Sequence, residues 1–387
     1  MKTLLNERPG ASGAGETMSP KSVRLRSVIL LLMVNILVTG CLAEVVLRVQ
    51  QKLGPLYNLD LRPEEILIGL SDELNHVHPP GGDWDRNGFR KMSEPNAQEC
   101  AVTILFMGDS FMEGVGGGND DTVPVHVRNF FRQASGKELC VFNAACSSYS
   151  PSIFVAQAKT LIPLVKPDLV VIDVDETDLY DDYYRYRKLA MRDGSGSIVS
   201  IRPTPVAAQF QHGLIESTSK TLYLHRFIAK LYFTKITYPR SFARYYPNTD
   251  IVWASRLPAA EARQRYADAI ENFDATLDDL TKTVLTRMGS ADRLVYVHHP
   301  HLGHLKTEGD VFNDVVASTV REVASRHRVR FFDATESLKA QFGEAAESYY
   351  LPNDLHFNPA GTRAYGIAVA KYLAGSFAAD SGLGPAR

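Results

Sequence analysis

The sequence predicts an α/β domain built on a doubly wound parallel sheet and preceded by an apolar N-terminal segment. From about residue 100 onward, short apolar runs alternate with amphipathic helical stretches, the rhythm of repeated βαβ units. The runs are nearly continuous rather than alternating, as strands covered on both faces require. No repeat with a period of about 20 to 50 residues recurs, which removes a solenoid. The composition is globular, 45% hydrophobic and 22% charged in 387 residues. A net charge of -2 gives no basic field, so wholesale binding to nucleic acid or to an anionic membrane surface is not expected.

Residues 1–26 are rich in Gly, Ser and Pro and end in Lys21, Arg24 and Arg26. They read as a disordered cytoplasmic tail. An apolar stretch follows within residues 27–48, broken only by Asn35, Thr39 and Gly40 in its 28–43 core. It fits a single-pass anchor with the basic flank inside and the remaining chain on the periplasmic side of a bacterial cytoplasmic membrane. Val38-Thr39-Gly40-Cys41 also matches a bacterial lipobox, so lipidation at Cys41 stays open, as does a cleaved signal peptide.

Residues 50–99 form a lead-in carrying Asn87-Gly88-Phe89-Arg90. The α/β domain then runs over 100–376. Strands are expected at 102–107, 139–144, 168–173 (introduced by Pro167), 294–298 and 329–333. Helices are expected at 123–134, 152–164, 258–287, 310–326 and 358–373. The long one carries apolar spacing at Tyr266, Ile270, Phe273, Leu277 and Leu280. An insertion at 183–256 interrupts the rhythm, with a hairpin signal at Asp193-Gly194-Ser195-Gly196 and helical stretches at 220–233 and 241–246. It leaves the sheet at its carboxyl end, where ligands bind in such folds, and is expected to act as a cap. Residues 377–387 read as a flexible tail. If the first two strands of the domain are parallel neighbours, Cys100 and Cys140 share a sheet end and can pair, leaving Cys146 odd; free buried thiols are the alternative.

Two segments nearly 250 residues apart carry the chemistry. Gly108-Asp109-Ser110 ends the first apolar run in a small-residue turn. Asn353-Asp354-Leu355-His356 places an acid two residues before a histidine. A serine hydroxyl needs a base within reach to act as a nucleophile, and that base needs an orienting group. Ser110, His356 and Asp354 supply the three types. Backbone N–H groups at the turn after Met107 can stabilise an oxyanion. Gly116-Gly117-Gly118 lacks the Gly-Lys-Ser/Thr of a phosphate loop.

In these segments the chain resembles the SGNH (GDSL-like) hydrolase superfamily over about residues 85–375. It is most similar to the membrane-anchored bacterial branch, whose apolar helix ends in Glu…Arg ahead of an Asn-Gly-Phe-Arg segment; Glu44, Arg48 and Asn87-Gly88-Phe89-Arg90 match here. The resemblance implies a flavodoxin-like three-layer α/β/α domain, the SGNH hydrolase fold, that hydrolyses or transfers acyl groups, often on glycans. It implies an oxyanion hole from the serine N–H, a glycine after the second strand and an asparagine after the third. Ser148 and Thr177 stand at the latter two positions. Loss of one such donor costs roughly 2.7–4 kcal/mol. Gly108, Asp109 and Asp178 become supporting residues, and Asp354 the acid, a spacing also found in acetyltransferase-like branches.

Two clusters remain. His298, His299, His301 and His304 follow the fourth strand with no carboxylate or cysteine beside them in sequence. They suggest substrate-lining or helix-capping roles, His299 and His301 with Asn353 lining the substrate, and no metal. Asp173, Asp175, Glu176, Asp178, Asp181 and Asp182 read mainly as a solvated loop, beside a Tyr183–Arg187 stretch able either to stack on sugars or to pack the insertion. The expected activity is a serine esterase or O-acyltransferase on acylated glycans or small esters. It needs no cofactor and has the membrane and envelope polysaccharide machinery as partners. A weakened glycan-binding or assembly subunit is the alternative.

Overall fold

A computed structural model describes residues 20–53, 69–203, 222–232, 259–306, 311–352 and 354–377. They fall into two compact units. The first comprises Met1–Asp60 and Ser217–Leu231, the second Leu61–Glu216 and Tyr232–Arg387.

In the first unit the helix Pro20–Leu53 starts inside the stretch expected to be disordered. Proline suits a first helical position, and nothing between it and the apolar run breaks a helix. Its part Arg26–Gln50 is long and apolar enough to cross a membrane, with a mean hydropathy of 2.4 and none of it buried. The helix runs unbroken through Gly40 and the exposed Cys41. Glu44 accepts from Arg48 Nε at 2.8 Å, and its second oxygen accepts from Leu224 N at 2.8 Å. Leu224 lies in the first turn of the helix Tyr223–Tyr232, where Glu44 satisfies an N–H that has no partner within the helix. Arg48 also lies 5.5 Å over the Tyr223 ring.

The second unit is a five-stranded, wholly parallel sheet. After the small antiparallel pair β1 (Gly69–Ser71) and β2 (Asn75–Val77) come β3 (Val102–Met107), β4 (Leu139–Asn143) and β5 (Leu169–Asp173). The hairpin β6 (Ala190–Arg192) and β7 (Ile198–Ile201) precedes β8 (Leu294–His298) and β9 (Arg330–Asp333). The sheet order is β4-β3-β5-β8-β9, the doubly wound flavodoxin-like order. Adjacent residues face opposite layers. Leu105, Met107, Val170, Ile172, Leu294 and Tyr296 pack under the helices Pro151–Val165, Ala267–Met288 and Val311–His327. Ile104, Phe106, Val141, Val171, Val295 and Val297 pack under Val123–Ser135, Thr335–Phe342 and Pro359–Phe377. This is the expected three-layer α/β/α domain.

The helix expected over 258–287 is instead two, Ala259–Arg265 and Ala267–Met288. Tyr266 leaves helical dihedrals between them while burying its ring in the core. Cys100 and Cys140 are joined by a disulfide at the amino end of β3 and β4, and Cys146 is free and buried. The hairpin forms at the expected turn. Ile198 and Ile201 join the core beneath Pro151–Val165, and Lys159 Nζ donates to Ile198 O at 2.6 Å. The 241–246 stretch and the 377–387 tail, except its first residue, lie outside the described residues.

Candidate active site

Ser110 is the first residue after the β3 turn, opening the one-turn helix Ser110–Glu113. Asp109 caps this turn, its side chain accepting from Phe111 N at 2.9 Å. A Cβ on Gly108 would lie 2.6 Å from Met112 Cβ and 3.0 Å from Asp173 Cβ, so the turn closes only over glycine. Gly116 lies against the carbonyl of Phe357, the residue after His356. That close approach, not phosphate binding, uses the glycine run.

The Ser110 turn is braced from the lead-in. The Arg90 guanidinium is buried and donates to Glu113 O at 2.6 Å, Gly114 O at 2.9 Å and Gly117 O at 2.9 Å. A cation thus meets the exposed carbonyls at the end of the turn. Asn143 adds a bond from Nδ2 to Met112 O at 3.0 Å.

Ser110, His356 and Asp354 stand in a row. His356 Nε2 is 2.7 Å from Ser110 Oγ and His356 Nδ1 is 2.6 Å from Asp354 Oδ1. Asp354 Oδ1 also accepts from His356 N at 3.0 Å, so one oxygen fixes both the loop and the ring. These bonds to His356 hold the Asp354 carboxyl below its ordinary value. The serine is 8% exposed, while the side chains of His356 and Asp354 are 20% and 45% exposed. Ser110 Oγ has a second acceptor in Asp109 Oδ2 at 3.2 Å. Burial, then Asp175 and Asp173, push the Asp109 carboxyl well above its ordinary value. Of the two contacts of Ser110 Oγ, the one to His356 Nε2 is the shorter.

Ser148 has φ +64, the left-handed region that glycine favours, so a serine here holds a glycine conformation at a cost of roughly 1–2 kcal/mol. The loop is clamped. Tyr186 Oη donates to Ser148 O at 2.6 Å, and Ser147 donates through N and Oγ to Glu113 Oε2 at 2.6 and 2.7 Å. Tyr186 belongs to a π-helical turn, Asp181–Tyr186, and is buried. Of the two roles expected for this stretch, Tyr186 takes the packing one, and it braces the Ser148 loop. Glu113, three residues past Ser110 on the same turn, and Tyr186 were missed; the i,i+3 spacing was the available sign for Glu113. Among the described residues, neither the Ser110 nor the Ser148 N–H has a partner.

Thr177 does not present its hydroxyl in the expected way. Its Oγ1 and N donate to Asp175 Oδ1 at 2.6 and 2.8 Å. Asp178 closes the capping box of the helix Glu176–Tyr180 by accepting from Asp175 N at 3.0 Å. It therefore orders its own turn rather than the nucleophile's.

The acidic run is not a solvated loop. Asp173, Asp175, Glu176, Asp178, Asp181 and Asp182 are all buried. Partners that sequence proximity did not show hold several of them. His301 Nε2 is 2.7 Å from Asp175 Oδ2 and its Nδ1 is 2.5 Å from Glu176 Oε1. His299 Nδ1 is 3.2 Å from Asp173 Oδ1, which also accepts from Tyr365 Oη at 2.8 Å. Burial opposes charge on His301, yet Glu176 and Asp175 hold its pKa well above the ordinary value. Burial pushes Asp181 up to about 6 against the pull of Arg185. His299 and His301 are thus buried under the site instead of lining an open substrate surface. The Phe111 ring lies over them, 4.1 and 5.1 Å from their centroids and 5.1 Å from that of His356. Asn353 lies outside the described residues.

No family model and no curated protein matches the chain. Among solved structures it is similar to a lipase/acylhydrolase from Enterococcus faecalis, at 12% identity over 70% of this chain and 95% of that one, with a TM-score of 0.38. It is also similar to an acetylxylan esterase from Geobacillus stearothermophilus, in a catalytic-mutant form, at 12% identity over 72% and 95% with a TM-score of 0.42. A third is a two-domain esterase active on acetylated mannans, at 13% identity, 72% of this chain, 50% of that one and a TM-score of 0.40.

Proposed function

We propose that this chain is a membrane-tethered serine esterase or O-acyltransferase of SGNH type. The observation that carries the reading is the row of Asp354, His356 and Ser110, with contacts of 2.6 and 2.7 Å. In the proposed step, His356 Nε2 takes the Ser110 proton as Oγ attacks an ester carbonyl. The tetrahedral oxyanion accepts from the N–H groups of Ser110 and Ser148. Collapse expels the alcohol, which takes the proton from His356, and leaves an acyl-Ser110. Water or a sugar hydroxyl then gives its proton to His356, attacks the acyl group and restores the serine. Asp354 holds the imidazole tautomer throughout.

The acyl group proposed is acetyl, carried on an envelope or extracellular glycan. The apolar helix Arg26–Gln50 serves as the anchor, with the domain on the periplasmic side; lipidation at Cys41 is the alternative tether. A second reading, a weakened glycan-binding or assembly subunit, draws on the commitment of the Thr177 hydroxyl to Asp175.

The test is a burst assay with 4-nitrophenyl acetate on the full chain in detergent, wild type against Ser110→Ala, with intact-mass detection. An acetyl adduct present only in the wild type supports the esterase. No adduct and no rate difference transfers the proposal to the binding subunit.

A further inference from the structure

Directly behind the Phe111 ring, three buried donors converge that the proposed acyl chemistry does not use. They are Asp175, His299 and His301, with one ligand atom of each within 4.8 Å of the others. We propose that they bind a single dication of the zinc class, with Asp173 and Glu176 orienting the two imidazoles.

Both rings are oriented in the same way. His299 gives Nδ1 to Asp173 and His301 gives Nδ1 to Glu176, at 3.2 and 2.5 Å. Each Nε2 then faces the same oxygen, Asp175 Oδ2, at 3.7 Å from His299 and 2.7 Å from His301. A carboxylate on one ring nitrogen with the other free to ligate is the outer-shell pattern of metal-bound histidine.

The decisive atom is His299 Nε2. It is fully buried, aimed at Asp175, and has no hydrogen-bond partner. An orphaned buried polar atom costs about 1–3 kcal/mol, and Asp173 Oδ2 and Glu176 Oε2 of the same cluster lack a hydrogen-bond partner as well. A metal ion gives His299 Nε2 its partner. Ligand atoms about 2.0–2.2 Å from a tetrahedral ion stand about 3.3 Å apart. The His299 pair needs only a small inward shift, and the His301 pair must open by about half an ångström. The ion takes the place of the proton bridging His301 and Asp175, which is released to water. Two imidazoles and one carboxylate suit zinc, cobalt or nickel over magnesium or calcium, which prefer oxygen. Two remote loops, after β5 and after β8, would then be cross-linked under the nucleophile turn.

The experiment measures metal on the full chain in detergent, purified with a histidine-free tag and without chelator. Elemental analysis is expected to find about one zinc per chain, since three protein ligands define one centre. Chelator-stripped protein titrated with Co2+ should develop visible d–d bands that Zn2+ abolishes, with a rise in Tm. His299→Gln and His301→Gln should each weaken zinc binding about tenfold to a hundredfold or more, whereas Ser110→Ala keeps full occupancy. Should either variant fail to fold, the Co2+ spectrum of the wild type decides alone. Wild type that neither carries zinc nor develops the cobalt bands overturns the site. So does retention of wild-type affinity in both folded histidine variants.

Discussion

Two histidine loops at the carboxyl edge of one sheet are built on opposite principles. His356 takes its carboxylate from two residues away, keeps a side chain 20% exposed and touches the serine. His301 is buried between two carboxylates, Asp175 and its neighbour Glu176, both from a segment remote in sequence. A partly solvated imidazole can exchange protons with a substrate at little cost to the fold. A buried one flanked by acids is part of what the fold requires. Position near Ser110 therefore does not by itself mark a histidine as a candidate base.

Single substitutions separate the two principles. His356→Ala should lower acyl-enzyme formation about 10³-fold or more. It should change stability by less than about 1 kcal/mol, because the pair with Asp354 is half exposed. His301→Ala should do the reverse to stability, costing about 3–5 kcal/mol in denaturant unfolding, since Asp175 and Glu176 lose their common partner. Equal destabilisation by the two would show that both histidines are structural to the same degree.

A third histidine sharpens it. His76 is buried, with Nε2 2.8 Å from Ser147 O on the loop that carries Ser148. Burial, with Arg185 and His78 adding repulsion, pushes its pKa down from 6.5 to about 4. The native state therefore holds it neutral while the unfolded chain protonates near 6.5. The stability tied to neutral His76 is complete above about pH 6.5 and falls away between pH 6.5 and 4, by up to about 3 kcal/mol. Unfolding of wild type and His76→Gln at pH 7.5 and 5 should show a smaller pH loss in the variant.

Thr177→Val tests the oxyanion assignment. With the hydroxyl donated to Asp175, the expected cost is about 1 kcal/mol of stability and less than about threefold in acylation rate. A loss of about a hundredfold or more would restore Thr177 as a direct donor. Ser148→Gly should give the smallest change. It relieves the positive φ but gains unfolded-chain entropy, for a net gain of about 0.5 kcal/mol read as a small rise in Tm.

The sheet was legible in the sequence because each strand is a local apolar run covered on both faces, as at Val102–Met107 and Leu169–Asp173. Asp354 and His356 were legible as a pair because they meet across two residues. The break at Tyr266 was not, since the apolar spacing runs through it unchanged.

The succession of the main strands and helices, the apolar N-terminal helix and the local Asp354–His356 pair are written in the residue pattern. These depend on contacts a few residues long or on hydrophobic patterning. Burial of the acidic run and its pairing with His299 and His301 arise from contacts between remote segments. A carboxylate is stable away from water only when a partner meets it. Here the partners of Asp173 and Asp175 come from the loop after β8 and from the last helix, brought to the end of β5 by the fold.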